Sequence, residues 1–496
     1  MNSGAGLLDQ AFTRAAGAPL VRGNRVRILK DAGDNYPAWL DAIRNAEQNI
    51  YFENYFICED EIGEQFAAAL AARARAGVRV RVIYDWLGGL RRASRRFWRQ
   101  LSAAGVEVRC FNPLRPLDPL AAFHRDHRKT LAVDSRIGFV TGLCVGREWL
   151  GDSARGSAPW RDTGLEVRGP AVHDVERAFA QVWAATGPAL TENEIRGRAS
   201  IAEAGDVAVR IVANTPGSSS IFRLDQLIAA AASRTLWLTD AYFAGIAPYV
   251  QALRAAARDG VDVRLLVPGA SDIPTLRPLT QAGYRPMLEA GVRVFEWNGP
   301  MLHAKSAVAD GRWARVGSSN LNVASWMGNY ELDAVVEDEG VAVAMERMYL
   351  TDLDCATEIV LHRRRQTKER AAPAAARPAL GRDAREARGM SGHGGSASRA
   401  AAGALRLGRT VGAALTRQRM LELAEARLLA AVGAVLLGVA VVGALWPLVL
   451  AIPLVAALLW IGVTLLGKAY AMRRERRSRA CLQRGLRAPP RGMQGG

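Results

Sequence analysis

The chain has 496 residues, of which 50% are hydrophobic and 23% are charged, which suits a globular protein of two or three domains with a membrane part. Its formal net charge is +17, but residues 1–355 carry 41 basic and 41 acidic residues, whereas residues 356–496 carry 24 basic and 7 acidic ones. The neutral first part weighs against a nucleic-acid binder, and the basic end of the chain favours an anionic membrane surface.

The five cysteines indicate neither a disulfide framework nor a zinc site. They are scattered singly, their number is odd, and no C-x-x-C pair or Cys/His cluster occurs. This usage is typical of a reducing compartment. The first 21 residues are too polar for the core of a secretory signal, so we expect no cleaved signal.

Strand-like and helix-like segments alternate through the first part of the chain. A strand and a turn over residues 20–36 precede a helical pattern from Pro37 to Ala46 and a β-rich stretch from Ile50 to Ile57. A helix from Ile62 to Ala76 ends at a glycine, and strand, helix and strand patterns follow. The alternation predicts a layered α/β domain with a largely parallel or mixed sheet.

The same order recurs 176 to 187 residues later in the chain. A helix from Phe222 to Ala231, a strand from Thr235 to Phe243, a helix from Val250 to Asp259 and a strand from Val261 to Val267 repeat the first series. This recurrence indicates an internal duplication of an α/β unit.

Each half then reaches the motif H-x-K-x-x-x-x-D. The chain has five Lys against sixty Arg, so the retention of Lys at two equivalent places is a strong signal. The two copies are His127, Lys129 and Asp134, and His303, Lys305 and Asp310.

The motif supplies the groups that phosphodiester chemistry needs. Residues i and i+2 of a strand share a face, so each His and its Lys are predicted to project together. If the halves face each other about a pseudo-twofold axis, two His and two Lys converge. One imidazole can then attack phosphorus while the other transfers protons, and both Lys neutralise the phosphate. Glu331 and Asp162, each downstream of its own motif, are candidates to hold the attacking histidine.

The duplicated motif resembles that of the phospholipase D superfamily. The second half adds Gly317-Ser318-x-Asn320 and Glu331, the first half adds Trp160-Arg161-Asp162, and the surrounding strands resemble the bacterial cardiolipin synthase branch. The resemblance covers about residues 20–355. It implies an α/β fold of two duplicated lobes around a shared site, a phosphohistidine intermediate, and no metal or other cofactor. It also implies that the motif histidines and lysines are catalytic, with Asp134 and Asp310 in support.

One position departs from the family pattern. Ten residues after the motif Asp, the family usually has an Asn whose amide can bind a phosphate oxygen. The second half has Asn320 there, but the first half has Cys144. A thiol is a weak donor, so one phosphate contact is predicted to be missing or replaced. We interpret Cys144 as a small buried thiol in preference to a nucleophile.

The last part of the chain is predicted to hold it on a membrane. Residues 428–467 contain no charge and are about twice as long as one span, with Trp446-Pro447 in the middle, which predicts two transmembrane helices. One long kinked or re-entrant segment is the alternative. Basic flanks place both ends in the cytoplasm. The predicted divisions are a first lobe (1–200), a second lobe (201–355), a disordered basic linker (356–427), the hairpin (428–467) and a basic tail (468–496).

Together these patterns predict a membrane-anchored phosphatidyltransferase of the bacterial inner membrane, with its lobes in the cytoplasm. It would make cardiolipin or a related phospholipid, with phosphatidylglycerol as the expected substrate. Three alternatives stay open: a phospholipase D-type hydrolase, a phosphodiesterase or nuclease, and a catalytically weak membrane scaffold, which Cys144 suggests. The resemblance favours His127 as the nucleophile, and the sequence leaves the oligomeric state open.

Overall fold

The computed structural model describes most of the duplicated region. The described residues are 3–113, 124–152, 156–273 and 276–361, with six isolated helical residues at Leu437, Ile452, Val455, Leu459, Trp460 and Gly462. Residues 1–361 form one compact unit. The predicted linker beyond residue 361, the rest of the predicted hairpin and the predicted basic tail lie outside the described residues. Within the described ranges, no helix combines the length and apolarity needed to cross a bilayer.

The secondary structure alternates as the sequence predicts. The described strands are β1 (Val21–Lys30), β2 (Asn49–Asn54), β3 (Arg79–Asp85), β4 (Glu107–Phe111), β5 (Lys129–Val133), β6 (Ile137–Thr141), β7 (Thr163–Arg168), β8 (Val207–Asn214), β9 (Thr235–Thr239), β10 (Asp262–Pro268), β11 (Arg293–Trp297), β12 (Ser306–Ala309), β13 (Trp313–Gly317), β14 (Glu331–Glu337) and β15 (Ala356–Ile359). The described α-helices are α1 (Ser3–Ala16), α2 (Asp31–Arg44), α3 (Glu61–Arg75), α4 (Arg95–Ala103), α5 (Val172–Thr186), α6 (Ser220–Ala231), α7 (Ala247–Arg258), α8 (Leu276–Ala282), α9 (Tyr284–Leu288) and α10 (Glu339–Leu353).

These strands form one sheet in the order β15-β11-β10-β9-β12-β13-β14-β8-β1-β7-β6-β5-β2-β3-β4. The order is symmetric about the boundary between β8 and β1, since each of β1 to β7 has a counterpart seven strands later in the chain. The outer strands of each half, β2-β3-β4 and β9-β10-β11, pair in parallel, and the pairs near the centre are antiparallel. The predicted α/β class with a mixed sheet is therefore confirmed.

A shared core fixes the two halves to each other. Helices α2 and α3 pack on the first half of the sheet and α6 and α7 on the second half, each over its own apolar cluster. On the other face, α5 and α10 cover a single cluster that contains residues of both halves. Burial of this continuous core favours one arrangement of the halves, and that arrangement positions the site between them.

The structure differs from the sequence prediction at three elements. Helix α1 was not predicted; Phe12 and Ala16 on it are buried against α6, so tertiary packing stabilises this segment. Helix α2 begins at Asp31, where a turn was predicted, and Pro37 lies inside it. Strand β15 extends the folded region past the predicted boundary at residue 355, because β11 offers a free edge on which it pairs.

Candidate active site

The histidine of each motif precedes a strand. Strand β5 begins at Lys129 and β12 begins at Ser306, so His127 and His303 lie in the segments that lead into them. The backbone N–H of His127 donates to the carbonyl of Tyr330 at 2.9 Å, and that of His303 donates to the carbonyl of Arg161 at 2.7 Å. This pairing joins segments from opposite halves, which is why the motif leaves the regular strand that the sequence predicted.

Glu331 holds the first histidine. His127 Nδ1 lies 3.1 Å and 3.0 Å from the two carboxylate oxygens of Glu331. The same buried carboxylate accepts hydrogen bonds from Ser318 Oγ at 2.5 Å, Ser325 Oγ at 2.6 Å and Asn329 Nδ2 at 3.2 Å. Burial alone would raise the pKa of Glu331, but His127 and then Lys129 hold that pKa below its usual value. A charged acceptor at Nδ1 assigns the ring proton to that nitrogen and leaves Nε2 with its lone pair.

Asp162 holds the second histidine in the same way. His303 Nδ1 lies 2.7 Å from Asp162 Oδ2, which also accepts from Trp149 Nε1 at 2.9 Å. The other oxygen accepts the backbone N–H of Thr163 at 2.8 Å. The Asp162 carboxylate is buried, yet interactions with His303 and then Lys305 hold its pKa below the usual range. Both predicted acceptors therefore contact a motif histidine.

Each carboxylate serves the histidine of the opposite half. Glu331 follows the second motif but contacts His127, and Asp162 follows the first motif but contacts His303. The exchange follows from the sheet, because Glu331 begins β14 and Asp162 immediately precedes β7, and both strands lie near the centre where the halves meet. Neither half contains a complete histidine–carboxylate pair.

The two motif lysines are buried beside these histidines. Lys129 Nζ donates to the His127 carbonyl at 2.5 Å. Lys305 Nζ donates to the His303 carbonyl and lies 2.9 Å and 3.0 Å from the two ring nitrogens of His303. Burial lowers the pKa of Lys305 to about 8 and also lowers that of Lys129. At neutral pH Lys305 therefore still carries a charge that can bind an anion.

The same environment favours the neutral form of both imidazoles. Burial, followed by repulsion from Lys305, lowers the pKa of His303 to about 3. Burial also lowers the pKa of His127, and Lys129 adds to this effect while Glu331 opposes it. Neutral imidazoles next to buried ammonium groups form a site that favours a nucleophilic histidine and a bound phosphate oxygen.

Aromatic rings that the sequence analysis did not assign to the site enclose both pairs. The ring of Tyr55 lies 5.0 Å from the His127 ring and 5.1 Å from Lys129 Nζ. The ring of Tyr242 lies 5.7 Å from the His303 ring and 5.6 Å from Lys305 Nζ. The sequence does contain a signal for these two tyrosines, because a Tyr-Phe pair follows the corresponding strand in each half.

The motif aspartates lie at the other end of the motif strands and do not contact the histidines. Asp134 accepts the backbone N–H groups of residues 47, 48 and 49 at 2.7 to 2.8 Å. Asp310 accepts those of residues 233, 234 and 235 at 2.7 to 2.9 Å. Each aspartate thus ties the end of its motif strand to the start of β2 or β9, and the supporting role of both stays a prediction.

The equivalent positions Asn320 and Cys144 are both buried. The Asn320 side-chain oxygen has no partner among the described residues. Burial raises the pKa of the Cys144 thiol, although nearby Lys129 and Lys305 oppose the rise, so the thiol is neutral. The carbonyl of Cys144 accepts a hydrogen bond from Tyr36 Oη at 2.7 Å. This environment is that of a packed thiol near the lysines, and among the described residues no hydrogen bond joins the thiol to a base.

Comparisons with known proteins match the duplicated region to one family. A family model described as "Cardiolipin synthase, PLD-like domain" matches residues 39–183 and 224–352. A cardiolipin synthase of Alkalihalophilus pseudofirmus is 31% identical over 345 residues, which cover 69% of this chain and 68% of that protein. One from Geobacillus kaustophilus is 32% identical over 345 residues, with the same coverage.

A solved structure is also similar. The phosphatidylserine synthase of Haemophilus influenzae matches 71% of this chain and 92% of its own with a TM-score of 0.56 at 15% sequence identity. At that identity the likeness shows a common fold.

Proposed function

Because this chain belongs to the cardiolipin synthase branch of the phospholipase D superfamily, we propose that it is a membrane-anchored phosphatidyltransferase that makes cardiolipin or a related phospholipid. The observation that carries the proposal is the pair of histidines, each held by a carboxylate of the opposite half beside two buried lysines. This arrangement fits a two-step displacement at phosphorus.

In the first step, the phosphodiester anion of phosphatidylglycerol binds to Lys129 and Lys305. His127 Nε2 attacks phosphorus, since its Nδ1 proton is held by Glu331. The bond from phosphorus to the glycerol headgroup breaks, and His303 donates a proton to the departing alkoxide. The bound phosphate anion raises the pKa of His303, which allows it to carry that proton. The products are glycerol and a phosphatidyl group on His127.

In the second step, an acceptor hydroxyl completes the transfer. His303, now neutral, takes the proton of a hydroxyl of a second phosphatidylglycerol. The resulting oxygen attacks phosphorus, the phosphorus–nitrogen bond breaks, and His127 is regenerated. The product is cardiolipin. If water takes the place of this hydroxyl, the product is phosphatidic acid, so a hydrolase differs from the transferase only in its acceptor.

The predicted hairpin at 428–467 and its basic flanks support anchoring of the lobes at the cytoplasmic face of the bacterial inner membrane. An anchor there would keep the site within reach of substrates that do not leave the bilayer. The formally neutral charge of residues 1–355 favours a lipid over a nucleic acid as the phosphodiester substrate.

The test incubates membranes that contain the full chain with labelled phosphatidylglycerol. We expect labelled cardiolipin and free glycerol, and we expect His127→Ala and His303→Ala to abolish both. Phosphatidic acid without cardiolipin would favour the hydrolase, and the absence of any turnover would favour the scaffold. Acid quenching and peptide mapping should place the phosphoryl group on His127; a label on His303 would reverse the two roles.

A parallel measurement on Cys144→Asn tests the departure from the family pattern. An amide at this position can donate to a phosphate oxygen, and a hydrogen bond to a charged group contributes about 1.5–3 kcal/mol. We therefore expect the variant to bind vanadate, a phosphate analogue, about ten-fold or more tightly. Unchanged binding would show that position 144 does not reach the phosphate.

A further inference from the structure

An apolar cavity of about 560 Å³ lies beside the second histidine. Its walls come from residues 242–246 and 322–324, and from Ile273, Leu279, Thr280 and Gly283. Tyr242 is part of this wall and its ring also lies against His303 and Lys305, so the cavity adjoins the candidate active site at this side chain. Its volume falls in the usual range of small-molecule sites, which is about 300–1,000 Å³.

The polar side chains of the walls are paired with other protein groups, and Tyr242 Oη donates to Asp272 at 2.9 Å. Thr280 Oγ1 donates to the carbonyl of Phe243 at 2.8 Å, and Asn322 Nδ2 donates to the carbonyl of Tyr242 at 3.0 Å. These bonds leave mainly apolar surface toward the cavity. Three large apolar side chains on its rim are exposed to solvent: Ile273 at 42%, Val323 at 54% and Leu279 at 56%. A contiguous exposed apolar patch of this kind marks a binding surface.

The duplication provides an internal comparison. The backbone N–H of Ala244 donates to the carbonyl of Leu321, as that of Cys58 donates to the carbonyl of Val145, so Ala244 and Cys58 are equivalent. Ala324, four residues after Asn320, corresponds to Glu148, four residues after Cys144.

In the first half the corresponding space is occupied by charged groups. The Arg92 guanidinium lies 2.5 Å from Glu148 Oε1 and 3.9 Å from Cys58 Sγ, and it covers the ring of Phe56 at 4.6 Å. The second half has only alanine side chains at the two equivalent wall positions. The same place in the fold therefore carries charged side chains in one half and alanines in the other.

We infer that this cavity receives an acyl chain of the phospholipid donor, so that the lipid's apolar part lies on the second half of the site. The inference rests on the proposed function, because the occupant is an acyl chain of the phospholipid whose phosphodiester binds the histidines and lysines. It adds an asymmetry to a site whose reacting groups are nearly symmetric. The first half, with Arg92 and Glu148 in the equivalent place, lies on the polar side of the substrate.

The test needs donor lipids that are dissolved as monomers. A chain already in a bilayer has left water, so its entry into an apolar cavity gains little. A dissolved chain gains up to about four-fold in affinity for each methylene that it buries. Calorimetry on the full chain in phosphatidylcholine nanodiscs, with empty nanodiscs as the blank, should give Kd for glycerophosphoglycerol, dibutanoyl phosphatidylglycerol and dihexanoyl phosphatidylglycerol. We expect the affinity to rise along this series.

Two cavity variants and one matched control decide the location. Leu279→Glu places a charge on the rim, and Ala244→Trp fills the cavity without charge. In both variants, the ratio of the Kd for dibutanoyl to that for dihexanoyl phosphatidylglycerol should fall at least ten-fold. Leu90→Glu, at a residue of the first half that is 50% exposed, should keep the wild-type preference. Wild-type preference in both cavity variants, or an equal loss in Leu90→Glu, would overturn the inference. Failure of the proposed function would appear separately, as chain-dependent binding without cardiolipin formation in the membrane assay.

Discussion

Replacement of Glu331 by Gln tests the exchanged carboxylates most directly. The change keeps the shape of the side chain and removes its charge. Both oxygens of Glu331 lie close to His127 Nδ1, at 3.1 Å and 3.0 Å, so either orientation of the amide places an NH2 group near the ring N–H. That NH2 group favours the tautomer in which Nδ1 accepts its hydrogen bond and the ring proton lies on Nε2, the nitrogen that must attack. Loss of the correct histidine tautomer in a comparable catalytic unit lowers kcat by about 10⁴.

We therefore expect Glu331→Gln to lower kcat for cardiolipin formation by about 10³ to 10⁴ with a smaller change in KM, measured with labelled phosphatidylglycerol. Glu337→Gln is the matched control, because it makes the same change at the far end of β14, where the carboxylate pairs with Arg210 at 3.5 Å. It should leave kcat unchanged. A thermal melt of each variant separates lost chemistry from lost folding. A folded Glu331→Gln enzyme with kcat within ten-fold of the wild type would refute the role assigned to this carboxylate.

Three further outcomes follow from the same geometry. Asp162→Asn should slow turnover with the glycerol leaving group far more than with a nitrophenyl leaving group, because Asp162 orients the proton donor His303 and nitrophenolate needs no proton. Equal slowing of both substrates in stopped-flow assays would contradict the role of His303 as proton donor. Burial lowers the pKa of Lys305 to about 8, so the ammonium is present below that pH and is lost above it. The profile of kcat/KM should therefore fall as pH rises through about 8, and Lys305→Arg should move that limb upward; an unmoved limb would assign it to another group. Asp134→Ala leaves three backbone N–H groups without their acceptor, so the free energy of unfolding should fall by roughly 3 kcal/mol or more. The enzyme that remains folded should still bind vanadate. Unaltered stability in urea titrations would contradict the structural role.

Local patterns were sufficient to predict the fold class and the candidate residues. Helix-ending glycines, alternating periodicity and the rarity of Lys identified the α/β halves and both motifs, because these signals depend on short-range geometry. Glu331 and Asp162 could also be proposed, since a histidine of this kind needs an acceptor. Which histidine each one serves depends on strand order at the centre of the sheet, and a single sequence does not specify that order.

Other features depended on tertiary contacts in the same way. Phe12 of helix α1 is buried against α6, a contact between segments about 200 residues apart that local patterns do not specify. The rings of Tyr55 and Tyr242 reach the site only because the chain turns after β2 and β9. The cavity near Tyr242 could not be predicted from the sequence, because its wall joins Ala244 and Ala324, which are 80 residues apart in the chain.

The exchange of carboxylates also bears on how such a chain could arise. A single ancestral half would carry His, Lys and a carboxylate, but its carboxylate would face away from its own histidine. Such a half could work only as a homodimer in which each copy completed the other's site. Fusion of two copies into one gene would remove the requirement that the halves remain identical. Substitutions such as Cys144 opposite Asn320, or Arg92 and Glu148 opposite an open apolar wall, could then accumulate in one half while the other kept its original role.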